Sequence, residues 1–337
     1  MNYLNNHRLD GLIFCIFIII FIAPIIGFRD FSVGTDTQAY AAHISSYLSG
    51  YDILSMEPGI YILANISGIF SKSPEIFFTF HFILLSLLMI LAYRNFVKDD
   101  TRLSINFQLI TFTFFLVCSK WFLVASTNNL RQGIACAFIF LGLSYYKKNN
   151  FKMFLGILFG GLWHISIVLF LPFLILLRLK TSSLFIIFIL FSFFYVTGLN
   201  GEIVKFFSNL IGIPLYEFIY TYAGSEKYMG FQLNFFLYTI FWPVLLWILN
   251  NIMGPKYLFK DDNIIFKIYL ILCLSYFFYG FGPYVTRYAF PAWFFLPFLF
   301  TFYISSISIR SDQKKYLFLI CLPFSVAYFL NLIINGY

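Results

Sequence analysis

The chain has 337 residues, of which 61% are hydrophobic, 23% aromatic and only 11% charged. Soluble domains run about 45–50% apolar and about 25% charged, so a water-soluble fold of this composition would expose large apolar patches. That excludes a soluble enzyme, a disordered chain and a nucleic-acid-binding domain, and it leaves an all-α polytopic membrane protein. The net charge of +8 comes from 22 basic and 14 acidic residues. The basic ones sit in short clusters between apolar runs, the positive-inside pattern rather than a nucleic-acid surface.

Apolar runs at 11–28, 75–93, 104–124, 132–146, 153–177, 183–199, 234–252, 263–281, 288–309 and 316–334 predict about ten transmembrane helices. Their continuity argues against β-barrel strands, which would alternate. The first run lacks a small-residue cleavage site and reads as an uncleaved anchor. The five cysteines lie inside these runs without paired spacing, so neither a disulfide framework nor a zinc site is expected. With no separate soluble domain in view, residues 1–337 read as a single integral-membrane domain.

Orientation follows from the basic residues. Arg94, Lys98 and Arg102, then Lys147, Lys148 and Lys152, Arg178 and Lys180, Lys256 and Lys260, and Arg310, Lys314 and Lys315 mark cytoplasmic connections. Loops 29–57 and 200–233 then face outward, the second containing an amphipathic stretch with Tyr216, Tyr220, Tyr222 and Tyr228. Two segments break the alternation. Residues 58–70 are apolar but only about 13 long, short for a span, and a crossing there would flip Arg94, Lys98 and Arg102 outward. They read as a re-entrant or interfacial helix on the outer side. Residues 151–178 lie between two basic clusters and read as a bent hairpin with its apex near Trp163, His164, Ile165 and Ser166. Such broken elements are tolerated only when buried in protein or lining a wet cavity.

Several polar residues then need explaining, each with a structural and a functional alternative. Asp36, in GTDTQAY, serves either as a helix N-cap or as a carboxylate facing the outer mouth of the bundle, there as acid, base or substrate ligand. Glu57, before Pro58 and Gly59, either favours a helix dipole or meets substrate at the lip of a re-entrant element. Arg131 either snorkels to the interface or, among Asn128, Asn129 and Gln132 at a helix N-terminus, forms an anion site. His164 is either a hydrogen-bonded structural group or a functional histidine at membrane depth. Arg287, flanked by Tyr284 and Tyr288, is either an aromatic-belt anchor or a second anion contact with tyrosine walls for sugar. His81 and Glu75 are secondary, and His43 reads as loop surface. The charge-derived topology puts Asp36, Glu57, Arg131, His164 and Arg287 on one outer face. Two cations, two carboxylates and a histidine there suit an anionic, lipid-linked substrate.

The order GTDTQAY, EPGIY, NNLRQGIACAF, the basic turn YYKKNNFK, LFGGLWHISIVLFLPF and a late Arg-Tyr before an aromatic span resembles the EpsG/Wzy family of bacterial exopolysaccharide and O-antigen polymerases. The resemblance covers most of the chain; its most specific part is the Leu-Arg-Gln run followed by the Trp-His apex. It implies a metal-independent, cofactor-free glycosyltransferase with a GT-C-like helical bundle in the bacterial inner membrane. Such enzymes move a growing glycan from undecaprenyl diphosphate onto the next lipid-linked oligosaccharide repeat unit at the periplasmic face, and a chain-length regulator is a compatible partner. By the same resemblance the loop acid is Asp36, the Glu-Pro-Gly acid Glu57, the Leu-Arg-Gln arginine Arg131 and the apex histidine His164. Arg131 and Gly142 also fit an Arg-(ten residues)-Gly spacing described in some such polymerases.

The chemistry would be displacement at the anomeric carbon of the donor sugar. Arg131 and Arg287 would neutralise the departing diphosphate, with Asn128, Gln132, Tyr284 and Tyr288 as further substrate contacts. His164, Asp36 or Glu57 would take the acceptor proton. A lipid-linked glycan ligase shares the donor chemistry and differs in the acceptor. A flippase or transporter would tend to show internal repeats and midplane polar groups. A membrane acyltransferase would want its histidine in a cytoplasmic-side tunnel, and His164 maps to the other side.

Overall fold

The computed structural model describes residues 2–51, 54–97, 104–221, 229–253 and 263–306. Among these every regular element is helical and there is no strand. The described residues divide into two compact units, one up to Val168 and the other from Leu169 onward.

The first unit contains α1 (Asn2–Gly27), α2 (Thr37–Leu48), α3 (Pro58–Gly68), α4 (Pro74–Phe96), α5 (Ile105–Val117), α6 (Lys120–Thr127), α7 (Leu130–Leu143) and α8 (Asn150–Gly161). A 3-10 turn at Ile165–Phe170 leads out of it. Helix α4 is its centre and packs against α1, α2, α3, α5, α6 and α7. Its 23 residues rise about 35 Å at 1.5 Å each, enough for a hydrocarbon core of about 30 Å. By contrast the 11 residues of α3 rise only about 16 Å, the short element anticipated at 58–70.

The most extensive contact in this unit is between α7 and α8. These are consecutive helices joined by a turn at 144–149, in which Lys147 takes a positive φ of 61°. Their crossing rests on glycine against glycine. A Cβ on Gly156 would lie 2.5 Å from the Gly142 Cα, and one on Gly142 would lie 2.9 Å from the Met153 carbonyl oxygen. Small residues at the contact let two backbones approach in this way within a membrane. Near the start of α7, a Cβ on Gly133 would sit 2.8 Å from the Ala125 side chain, so α6 closes onto α7 through small residues too.

The second unit contains α9 (Leu171–Leu174), a 3-10 turn at Ile175–Arg178, α10 (Thr181–Thr197), α11 (Leu199–Ile211), α12 (Leu215–Tyr220), α13 (Leu233–Met253), α14 (Ile264–Tyr279), α15 (Thr286–Phe294) and α16 (Leu296–Ser306). Here α14 is central, buried at every position from Ile265 to Phe277 and packed against α10, α11, α15 and α16. The Trp293 indole donates to Thr239 Oγ1 at 2.9 Å, so a buried polar group in this aromatic core has its partner.

Several sequence expectations change. Run 104–124 is not one straight helix: α5 and α6 meet at a 65° bend around Cys118–Ser119. The segment 200–233, expected as an outward-facing loop, contains helical structure in α11 and α12, and α11 leaves α10 at 98°. Pro74–Phe96 and Thr286–Ser305 are long and apolar enough to span unbroken, and each bent pair would add one. Gly11–Gly27, Leu130–Leu143, Val168–Arg178, Leu233–Ile248 and Ile264–Tyr279 are shorter apolar helices. The run at 316–334, with Cys321, and Lys98, Arg102, Tyr222, Lys227, Tyr228, Lys256, Lys260, Arg310, Lys314 and Lys315 lie outside the described residues. The architecture is that of a multi-pass helical membrane protein.

The glycine crossing has a direct test. Gly142→Leu should force α8 off α7 and destabilise the fold by about 1–3 kcal/mol, read from dodecyl sulfate unfolding in mild detergent. Wild-type stability in that variant would mean the close approach of Gly142 to Gly156 is unimportant.

Candidate functional site

Three sequence-distant groups meet in the first unit. Glu57 is the N-cap residue of α3 and has extended backbone, yet its side chain makes no capping bond. Instead its carboxylate is divided between two partners. Arg131 donates through Nη1 to Oε2 at 2.5 Å, and His164 donates through Nδ1 to Oε1 at 2.8 Å. An ionised carboxylate can only accept, so this contact puts a proton on Nδ1 of His164, and in the neutral ring Nε2 is then the lone-pair nitrogen. Neither Nε2 of His164 nor Nη2 of Arg131 has a hydrogen-bond partner among the described residues. The side chains of Arg131, Glu57 and His164 are 31%, 18% and 9% exposed, so the cluster is open at the guanidinium and closed at the imidazole.

Local sequence explains each placement. Arg131 lies in the first turn of α7 and His164 follows the end of α8, so the glycine crossing that sets these helices together brings the two residues to one end. The chain breaks at Leu162–His164, where the apex was expected. That break is docked onto the start of α3. The Gly59 N–H donates to the Leu162 carbonyl at 2.9 Å, and a Cβ on Gly59 would lie 2.6 Å from the Trp163 indole. Only glycine fits beneath Trp163 without displacing it, which gives the Glu-Pro-Gly run a physical reason beyond its acid. Pro58 starts α3, where its missing N–H carries no penalty. The Tyr61 hydroxyl accepts from the Met56 N–H at 2.9 Å and contacts His43 Nε2 at 3.1 Å, bracing the segment that carries Glu57. His43, read as loop surface, is therefore tied into the support of the site.

The GTDTQAY motif docks onto the segment before Arg131. The Asn128 Oδ1 accepts from the Asp36 N–H at 2.9 Å and from the Thr35 hydroxyl at 2.8 Å. Thr37 Oγ1 donates to the Thr127 carbonyl, and Arg29 reaches the same carbonyl while lying over the Phe78 ring. Gly34 makes the turn at φ +90°. One helical turn after Asp36, Tyr40 accepts from Arg131 Nε at 3.0 Å. Burial pushes the Tyr40 phenol above its ordinary value, with the Arg131 charge opposing.

The expected residues thus fall in different places. Glu57, Arg131 and His164 share one hydrogen-bonded cluster. Asp36 occupies the N-cap position of α2 but makes no capping bond with its side chain; Thr35 donates to its carboxylate at 3.1 Å. Asn128 joins the two motifs, and Gln132 is buried in α7. Arg287 belongs to the second unit, its guanidinium 4.7 Å over the Tyr284 ring, with Tyr288 buried in α15. Tyr40, Arg29 and Gly59 were not singled out from sequence, although Tyr40 sits four residues beyond Asp36 in the same motif. His81 makes its contact through Nε2 to the Leu130 carbonyl at 3.0 Å, next to Arg131, which gives this secondary candidate a bracing role.

A model of the EpsG family matches residues 12–337. The chain belongs to the EpsG family. No curated protein and no solved structure matches it. EpsG is a glycosyltransferase-like polymerase family, and membership gives the chain an enzymatic role in polysaccharide biosynthesis at a membrane. In this EpsG protein GTDTQAY, EPGIY, NNLRQGIACAF and the Trp-His apex are joined by the Glu57 cluster and its neighbours, while the late Arg-Tyr lies in the second unit.

Burial raises the Glu57 carboxyl, but the hydrogen bonds from His164 and Arg131 and the Arg131 charge outweigh it and bring it from 4.5 down to about 2. A depressed carboxylate contributes stability that is present above its unfolded value and lost as pH falls through its folded value. The stability gap between wild type and Glu57→Gln should therefore stay constant from pH 8 to 5 and close between 4.5 and about 2. A gap that closes above pH 5 would show that Glu57 is not held by this pair.

Proposed function

We propose that this EpsG-family protein polymerises undecaprenyl-diphosphate-linked oligosaccharide repeat units at the periplasmic face of the inner membrane, through about ten spans arranged as a GT-C-like bundle. The observation that carries this reading is the division of one carboxylate between a guanidinium whose Nη2 is open and an imidazole whose Nε2 is open. That pairs an anion-binding group with a proton acceptor. Such a pair suits displacement of a diphosphate by a sugar hydroxyl and needs no metal.

In this mechanism the acceptor hydroxyl oxygen attacks the anomeric carbon, and the bond from that carbon to the diphosphate oxygen breaks. The bonding electrons leave with undecaprenyl diphosphate. The hydroxyl proton passes to His164 Nε2, and the configuration inverts. Arg131 donates through Nη2 to the departing phosphate, where charge develops. Glu57 is a poor proton acceptor because its carboxyl is held at about 2. It acts by fixing the tautomer of His164 and the aim of Arg131, much as second carboxylates orient histidines elsewhere. Tyr40 holds the guanidinium plane from its other side. Asp36 remains beside Tyr40 as a group for the incoming sugar. Arg287, with Tyr284 and Tyr288, keeps the separate proposal of an anion contact.

The test is the surface polysaccharide of a strain carrying variant genes, together with turnover of lipid-linked repeat units by the purified protein. Arg131→Ala should leave a single repeat unit on its anchor at normal protein level, and Arg131→Lys should rescue it poorly because a point charge cannot replace the fork. Loss of His164 in His164→Gln should slow turnover by about 10²–10⁴-fold. It should also remove the rise of activity with pH that a neutral base requires. Full-length polymer from Arg131→Ala would end the diphosphate assignment. Complete absence of repeat units from the surface would favour a flippase or ligase.

A further inference from the structure

Helix α11 has three different faces, and neither a soluble protein nor a membrane span calls for all of them. At about 100° per residue, Gly201, Val204 and Ser208 form one row, and all are buried. Glu202, Lys205 and Asn209 form a second row, and all are exposed. Leu199, Phe206 and Leu210 form a third row, with Phe207 beside it; Phe206 is 62% and Leu210 68% exposed. The row facing the protein is therefore the small one, and the large apolar side chains point away from it.

The buried row is fixed by polar contacts. Asn200, beside it, donates through Nδ2 to the Phe277 carbonyl at 2.9 Å, capping the C-terminal end of α14, and Ser208 Oγ accepts from the Tyr216 N–H at 2.7 Å. Lys205 lies over the Tyr216 ring at 5.8 Å. The helix is bounded by glycines with left-handed backbone, Gly198 at φ +76° and Gly212 at φ +72°. Its orientation is thus set by its ends and its inner row, not by burial of its phenylalanines.

We propose that α11 is an interfacial helix whose apolar row lies in the lipid of the outer leaflet, with Glu202, Lys205 and Asn209 in water. The choice of lipid rests on α10. That helix carries no charge between Thr181 and Thr197, begins at the basic Arg178 and Lys180, and exposes Ile186, Ile189, Phe193 and Val196. Lipid covering that surface meets α11 directly after a 98° turn, which takes a helix running along the bilayer normal into the bilayer plane. A water-facing row on the remaining side is what this in-plane position requires, and amphipathic helices bury an apolar face about 5–10 Å into the headgroup boundary in this way. One acidic and one basic residue on the water face cancel, so the contact depends on apolar area and not on lipid charge.

Site-directed nitroxides on the full chain, reconstituted in phosphatidylcholine vesicles, test this. Labels at Phe206→Cys and Leu210→Cys should collide more with oxygen than with a water-soluble nickel chelate. Labels at Lys205→Cys and Asn209→Cys should show the reverse order. Nickel access at 206 and 210 would place the apolar row in water. Exclusion of both reagents there would mean that protein, not lipid, covers it. Either result overturns the proposal, and neither bears on the reaction assigned to the first unit.

Discussion

One carboxylate holds the candidate site together. Both oxygens of Glu57 are used, one by Arg131 and one by His164, and these residues come from stretches that share no sequence neighbourhood. Charged groups inside an apolar protein are expensive unless paired. Removing Glu57 would leave a guanidinium without its counter-charge and an imidazole without its orienting acceptor. The rest of the first unit can be understood as what is needed to keep that carboxylate in place. Gly59 lets Trp163 dock on α3, Tyr61 braces the preceding segment, and Tyr40 holds the opposite side of the guanidinium.

The backbone contribution comes from glycine. Gly142 and Gly156 let α7 and α8 touch, and the turn between these helices returns the chain so that the end of α8 meets the start of α7. Gly142 shares the Arg-(ten residues)-Gly spacing with Arg131, yet it acts about three helical turns away from it, at the crossing. The spacing pairs a binding group with the contact that positions its partner. A side chain at Gly142 or Gly156 would change the site without touching it.

The sequence made the helical membrane class legible because a composition so poor in charge has few other solutions. It also exposed Glu57, Arg131 and His164, since each is costly in an apolar chain and so asks for a reason. Which of them pair was not legible, because pairing depends on the α7–α8 crossing and on the docking of Trp163 over Gly59. Tyr40 was hidden by the commonness of tyrosine at membrane interfaces. The 65° bend near Cys118 was hidden because hydropathy is high on both sides of it. The amphipathic stretch read from the sequence lay at Tyr216 to Tyr228, whereas the three rows of α11 appear only once burial separates Ser208 and Val204 from Lys205 and Phe206.

The most direct test of the shared carboxylate is a triple-mutant cycle. Arg131→Gln and His164→Gln would be made singly and together, with and without Glu57→Ala, and unfolding free energies measured in mild detergent titrated with dodecyl sulfate. With Glu57 present, the two substitutions should be non-additive by about 0.5–3 kcal/mol, as groups sharing one partner are. With Glu57 replaced by alanine, the non-additivity should vanish. Additive effects in the presence of Glu57, or a coupling that survives its removal, would contradict the bridge.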